Sequence, residues 1–162
     1  MTMDRIYIDE LLKYGEHIAL ECKKAEGGVP KSIWETYSAF ANTNGGTIIL
    51  GVDEDLQADN WDDRFSVLGV HNPENIVKDF WNTINSDKVN ACILKDENVQ
   101  IVEYDKQINV VVIQVPQAAY NIKPVYINGN VYKGTFKRNF EGDYHCEEGE
   151  VKAMIRDANE DG

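Results

Sequence analysis

The residues of this 162-residue chain that could do chemistry fall into two groups of opposite charge. One is acidic: the apolar run Thr47-Ile48-Ile49-Leu50-Gly51-Val52 passes directly into Asp53, Glu54 and Asp55. A strand ending in carboxylates sets them at the rim of a sheet, where they can meet solvent, a metal ion or a substrate, because unpaired charge in the core is costly. The other group is basic. Lys123, Lys133, Lys137 and Arg138 lie in residues 121–138, a stretch without a single acid, and Tyr132 and Phe136 are interleaved there as surfaces on which unpaired bases could stack. Lys23 joins them as a candidate phosphate contact. The plain alternative for this stretch is a hairpin whose lysines keep an edge strand soluble.

Whole-chain charge opposes the basic group. The formal net charge is −12, whereas polyanion binding draws most of its affinity from Lys and Arg. Taken whole, the chain should repel nucleic acid, and only a local basic face could bind it. Hydrophobic content of 43% and charged content of 27% fit one ordinary domain with a core of useful size, expected to cover residues 1–162 with a polar tail at 159–162. No apolar segment approaches a membrane span, and the first residues lack a signal-peptide pattern, so the expected location is the cytoplasm. Cys22, Cys92 and Cys146 are odd in number and scattered, which argues against a disulfide framework and a cysteine-rich zinc site. His17, His71 and His145 show no ligand-like spacing, and His145-Cys146 reads as a surface pair. There is no G-x-x-x-x-G-K-[ST] loop, so nucleotide hydrolysis is disfavoured.

The elements that must position these residues can be read from periodicity. Residues 8–13 suggest a short helix stopped near Gly15, and residues 18–23 alternate as a first strand. Ser32 and Glu35 have capping-box spacing, and Ile33, Trp34, Tyr37, Phe40 and Ala41 make one apolar helical face that Gly45 terminates. Trp34, Tyr37 and Trp81 read as core, while Trp61, among acids, reads as an exposed loop residue or a subunit contact. Residues 47–52 form a strand buried on both faces. A short strand over 65–70 precedes a helix opened by Asn72-Pro73. Residues 99–104 and 108–115 form a hairpin, and a second is expected across Asn128-Gly129-Asn130. Val151, Met154, Ile155 and Ala158 mark a last helix after Glu147 and Glu148. The fold expected is α+β, a central mixed sheet with hairpins, flanked by helices.

In that frame the chain resembles the Schlafen AlbA-type family, formerly described as divergent AAA and named for DNA binding in bacterial transcriptional regulators. The resemblance rests on Gly15-Glu16-His17 leading to Leu20-Glu21-Cys22-Lys23, on Ala39-Phe40-Ala41-Asn42-Thr43-Asn44-Gly45-Gly46, on Gly51-Val52-Asp53-Glu54, and more loosely on Val131-Tyr132-Lys133-Gly134-Thr135. Cys22 replaces the family's Phe, His17 its Ser, Glu54 its commoner Asp and Lys133 its Arg.

The resemblance implies a nucleic-acid-binding regulatory domain, for DNA or RNA, acting in transcription. Lys23, Lys123, Tyr132, Lys133, Lys137 and Arg138 are then the contacts, and a homodimer is expected because relatives pair this lobe to form a groove. It also implies an alternative. Some relatives are endoribonucleases with three carboxylates, here Glu16, Glu21 and Asp53 or Glu54, which could hold Mg²⁺ or Mn²⁺ through Glu16, Glu21 and Asp53 and so activate water for attack on a phosphate. The plain reading of these acids is a solvated rim. A third reading, a protein-interaction module without nucleic-acid affinity, suits the net charge. Many bacterial relatives continue into an ATPase-like or winged-helix region, so the chain is expected to be either a stand-alone protein or a fragment.

Overall fold

The computed structural model describes residues 3–15, 17–60 and 63–160, and the fold is α+β. In chain order the elements are α1 (Arg5–Tyr14), β1 (Leu20–Lys23), α2 (Ile33–Asn42), β2 (Gly46–Leu50), β3 (Val52–Glu54), β4 (Phe65–Val67), α3 (Pro73–Ile84), β5 (Val99–Asp105), β6 (Ile108–Val115), β7 (Phe136–Asn139), β8 (Gly142–His145) and α4 (Glu148–Asn159). A four-stranded mixed sheet has the order β1-β2-β6-β5; β1 runs parallel to β2, and β6 runs antiparallel to both its neighbours. The pairs β3-β4 and β7-β8 form separate two-stranded sheets.

Strand alternation divides the core between the two faces of the central sheet. Ile48, Leu50, Val111 and Ile113 pack with Trp34, Tyr37, Phe40, Phe80 and Ile84 of α2 and α3. Ile49, Val110 and Val112 pack on the other face with Ile8 and Leu12 of α1. The apolar run in β2 is thus buried on both faces, as its lack of polar residues implies. Each such aliphatic side chain contributes about 1.5–3 kcal/mol by leaving water. Trp34 stacks on Phe80 with ring centroids 5.1 Å apart, and the Tyr37 hydroxyl donates to the Ala91 carbonyl at 2.8 Å, which places both in the core. Trp81 packs at its margin, and Trp61 lies outside the described residues.

Two glycines set the path of the central motif. Gly45, at φ +76°, closes the end of α2 by donating to the Phe40 carbonyl, and a Cβ there would come within 2.7 Å of the Val115 carbonyl oxygen. Gly51, at φ +107°, ends β2 at Leu50, two residues before the expected end of the strand. Its N–H donates to Lys23 while its carbonyl accepts from Leu68 and Gly69, so the chain leaves the sheet and Asp53 and Glu54 belong to the β3-β4 pair.

Several local expectations are corrected by the tertiary structure. Ser32 precedes α2 but caps nothing with its side chain, because its hydroxyl accepts from Lys23 Nζ at 3.0 Å. A capping box forms instead at α4, where the Glu147 N–H donates to Glu150 Oε1 at 2.9 Å. Asn128 and Gly129 do take positive φ, yet residues 131–133 form no strand, and the pairing across the turn is reduced to one bridge between Tyr126 and Thr135. Asn130 Oδ1 accepts from the N–H groups of Tyr132 and Lys133, coiling this segment into a turn. The hairpin that does form is β7-β8, turning at Phe140 and Glu141 with Phe140 at φ +55°. His145 is exposed but Cys146 is buried, so they are not a surface pair.

The polar residues of α2 explain why β7 lies where it does. Asn42 Nδ2 donates to the carbonyls of Val125 (2.8 Å) and Phe136 (3.0 Å), while its Oδ1 accepts from the Val125 N–H at 2.8 Å. Ser38 Oγ donates to the Val125 carbonyl and accepts from the Phe136 N–H, and Thr43 Oγ1 accepts from the Arg138 N–H. Three side chains at the end of one helix thereby satisfy buried backbone groups of two distant segments. Asn42→Ala leaves those groups unpaired and should lower stability by about 3 kcal/mol in urea unfolding, and a loss below about 1 kcal/mol would contradict the clamp. Burial pushes the Cys146 thiol up to about 11 and raises Cys22 further, so iodoacetamide should modify exposed Cys92 alone in the folded chain.

Candidate functional site

Strand β1 is an edge strand, and its unpaired carbonyls need partners. Arg138 of β7 supplies them: Nε donates to the Ile18 carbonyl at 3.0 Å and Nη2 to the Leu20 carbonyl at 2.9 Å. Its Nη1 donates to Glu21 Oε1 at 2.8 Å and to Asp143 Oδ1 at 2.9 Å, and Asp143 Oδ2 accepts from the Thr36 hydroxyl at 2.6 Å. The guanidinium carbon also lies 4.9 Å from the centre of the Phe40 ring. Only 2% of the Arg138 side chain is accessible, so it is internal and does not form part of an exposed basic face.

The acids are held by cations in the same manner. Glu21 meets Arg138, and its other oxygen lies 3.9 Å from Lys23 Nζ. Glu54 accepts from Arg64 Nε at 2.6 Å, and Arg64 also reaches Glu141 at 3.0 Å, which ties β3 to the tip of the β7-β8 hairpin. Asp53 is 4.0 Å from Lys24 Nζ. Burial first, and then the nearby Glu54 and Glu21 carboxylates, raise the pKa of Cys22. Among the described residues no three acid, His or Cys side chains are arranged to hold a metal ion, and Glu16 lies outside them. Glu21, Asp53 and Glu54, as placed, do not fit a shared Mg²⁺ or Mn²⁺.

The other basic candidates are distributed unevenly. Lys23 is largely covered and donates to Ser32, and Lys137 is bound by both oxygens of Glu150, which raises its pKa. Burial lowers the pKa of Lys123. Tyr132 and Lys133 are exposed on the turn after Asn130, Tyr132 at 44% of its surface. Two lysines that sequence reading passed over join them there. Lys88 donates to Asn128 Oδ1 at 2.7 Å, and Lys152 of α4 lies near Tyr132 while pairing with Glu148 at 3.0 Å. Neither had a local signal, because both reach the turn from remote elements. Asp143 and Arg64 were missed for a related reason: β8 was not anticipated, and Arg64 stood beside an acidic run whose partners are long-range.

Arg138→Met would strand Glu21, Asp143 and two carbonyls together, and is expected to cost about 3–5 kcal/mol in urea unfolding. Arg138→Lys, which lacks the planar fork, should recover less than half of that loss, and full recovery would refute the guanidinium's role.

With this geometry in hand, comparison with known proteins places the chain. No curated protein matches it. Among solved structures it is similar to the solution NMR structure of the N-terminal domain of a RecG-related protein from Nitrosomonas europaea, named as an ATP-dependent DNA helicase. That likeness, to the N-terminal domain alone of a protein whose name reads ATP-dependent DNA helicase RecG-related, has 26% identity and a TM-score of 0.63, covering 90% of this chain and 94% of that domain. The family model described as Schlafen, AlbA_2 matches residues 16–147, well over half of the sequence, and the chain belongs to the Schlafen AlbA_2 family.

Proposed function

We propose that this domain binds a nucleic acid, DNA or RNA, through the turn that follows Ile127, and serves as the binding module of a regulator acting in transcription. The observation that carries the reading is the exposure of Tyr132 and Lys133 on a turn that Lys88 also reaches, through Asn128, in a chain whose residues 121–138 contain no acid. Cations there can neutralise phosphates while the Tyr132 ring offers a face to an unpaired base. The DNA-helicase name of the similar Nitrosomonas protein supports the class of ligand. Lys123 borders this surface in sequence; Lys137, Lys23, Arg138 and Lys152 contribute less, since each is engaged by a carboxylate.

A net charge of −12 restricts such binding to this local face and makes it weak at physiological salt. Pairing of two copies would double the cationic surface, so a cytoplasmic homodimer is part of the proposal. No observation favours the metal-dependent ribonuclease reading over this one, because Glu21, Asp53 and Glu54 face Arg138, Lys24 and Arg64.

Single-stranded DNA and RNA oligomers should bind with log K falling against log salt at a slope of about −2 to −3, as expected for roughly three neutralised phosphates. The variant Lys88→Ala/Lys133→Ala should flatten that slope by about 1–2 units without changing the urea midpoint. Absence of salt-dependent binding to either polymer, or an unchanged slope in the variant, would sink the proposal.

A further inference from the structure

A second surface lies at the β7-β8 hairpin, and its chemistry differs from that of the basic turn. Hairpin geometry decides which backbone groups are spare. Phe140 and Glu141 form a two-residue turn, so Asn139 and Gly142 are the closing hydrogen-bonded pair, and the next bonded pairs are Lys137 with Tyr144 and Thr135 with Cys146. The Cys146 N–H does donate to the Thr135 carbonyl, at 2.9 Å. The N–H and C=O groups of Asp143 and His145 therefore point away from β7, and among the described residues no strand pairs with that edge of β8.

The same hairpin carries a shallow, open groove of about 850 Å³ lined by Ile18, Asn139, Phe140, Glu141, Gly142 and Tyr144. Phe140 is 73% exposed and Tyr144 49%, an unusual outlay of aromatic surface on a hairpin tip. The surrounding charge selects the occupant. Glu141 lines the groove, and residues 139–151 carry five acids, Glu141, Asp143, Glu147, Glu148 and Glu150, and no Lys or Arg, although Arg64, Arg138, Lys137 and Lys152 pair with some of them from other segments. A phosphate polymer would approach against this field, and so would a second copy of a chain carrying −12.

We infer that the β8 edge and its aromatic groove dock an extended peptide of a partner protein, with apolar side chains at alternate positions and Lys or Arg between them. The peptide adds as a strand to β8, exchanging backbone hydrogen bonds with Asp143 and His145. Its apolar side chains, spaced every second residue, enter the groove against Phe140 and Tyr144. Its basic side chains meet the surplus carboxylate charge and exclude an acidic competitor.

The test uses the full chain and a fluorescein-labelled peptide of about nine residues, with Val or Ile alternating with Lys or Arg, followed by fluorescence anisotropy. Saturable binding is expected, at least about tenfold weaker for Phe140→Asn/Tyr144→Ser, for a peptide with its basic residues changed to Glu, and for one N-methylated on the edge that would face β8. Asn tolerates the positive φ at position 140, so the variant should keep its fold, as circular dichroism would verify. Amide exchange at Asp143 and His145 should slow in the complex, a readout that needs no variant. The inference is overturned if binding is not saturable, if the double variant or either altered peptide binds as well as the original, if those amides stay unprotected, or if a single-stranded RNA oligomer occupies the groove in place of the peptide.

Discussion

The fold depends on one buried guanidinium. Arg138 lies where the edge of the central sheet, the end of α2 and the β7-β8 hairpin come together: its guanidinium donates to Ile18, Leu20, Glu21 and Asp143, its backbone N–H to Thr43 at the end of α2, and the Phe40 ring of α2 covers one face. A buried charge is tolerated only when its donors are satisfied, and here two carboxylates and two carbonyls do so while a ring covers one face. The same arrangement blunts an exposed edge strand, since the carbonyls of Ile18 and Leu20 no longer offer a template for another chain. Net charge and pairing are thereby coupled: acids that look redundant in a chain of −12 are needed to hold this arginine.

The family's central segment has an architectural role in the same region. Ser38, Asn42 and Thr43 bind backbone groups at Val125, Phe136 and Arg138, so these polar residues fix the position of the basic turn and of the hairpin. Gly45 and Gly51 supply the two bends between which β2 runs. The family segment is an internal clamp, and it holds in place two exposed features elsewhere: the turn that carries Tyr132 and the hairpin tip that carries Phe140. Charge separation between them is what the proposed binding of a polyanion by a strongly acidic chain requires.

Periodicity and turn chemistry alone determined most of the architecture. The apolar run of β2, the helical faces of α2 and α3, the Asn72-Pro73 start, and the β5-β6 hairpin are local patterns, and each formed close to where those patterns placed it, β2 ending two residues early at the Gly51 bend. The family was equally legible, because its central glycines and polar residues are contiguous. Only the tertiary structure decided what the charged residues do. Arg138 and Lys137 belong to the same basic stretch, yet one is buried against β1 and the other is held by α4; Lys88 and Lys152, far from that stretch, reach its turn. The β7-β8 hairpin was hidden because Phe140 occupies a left-handed position that its side chain does not announce. Backbone patterns are set by neighbours within a few residues, whereas the partner of a charge is set by whichever distant element packs against it.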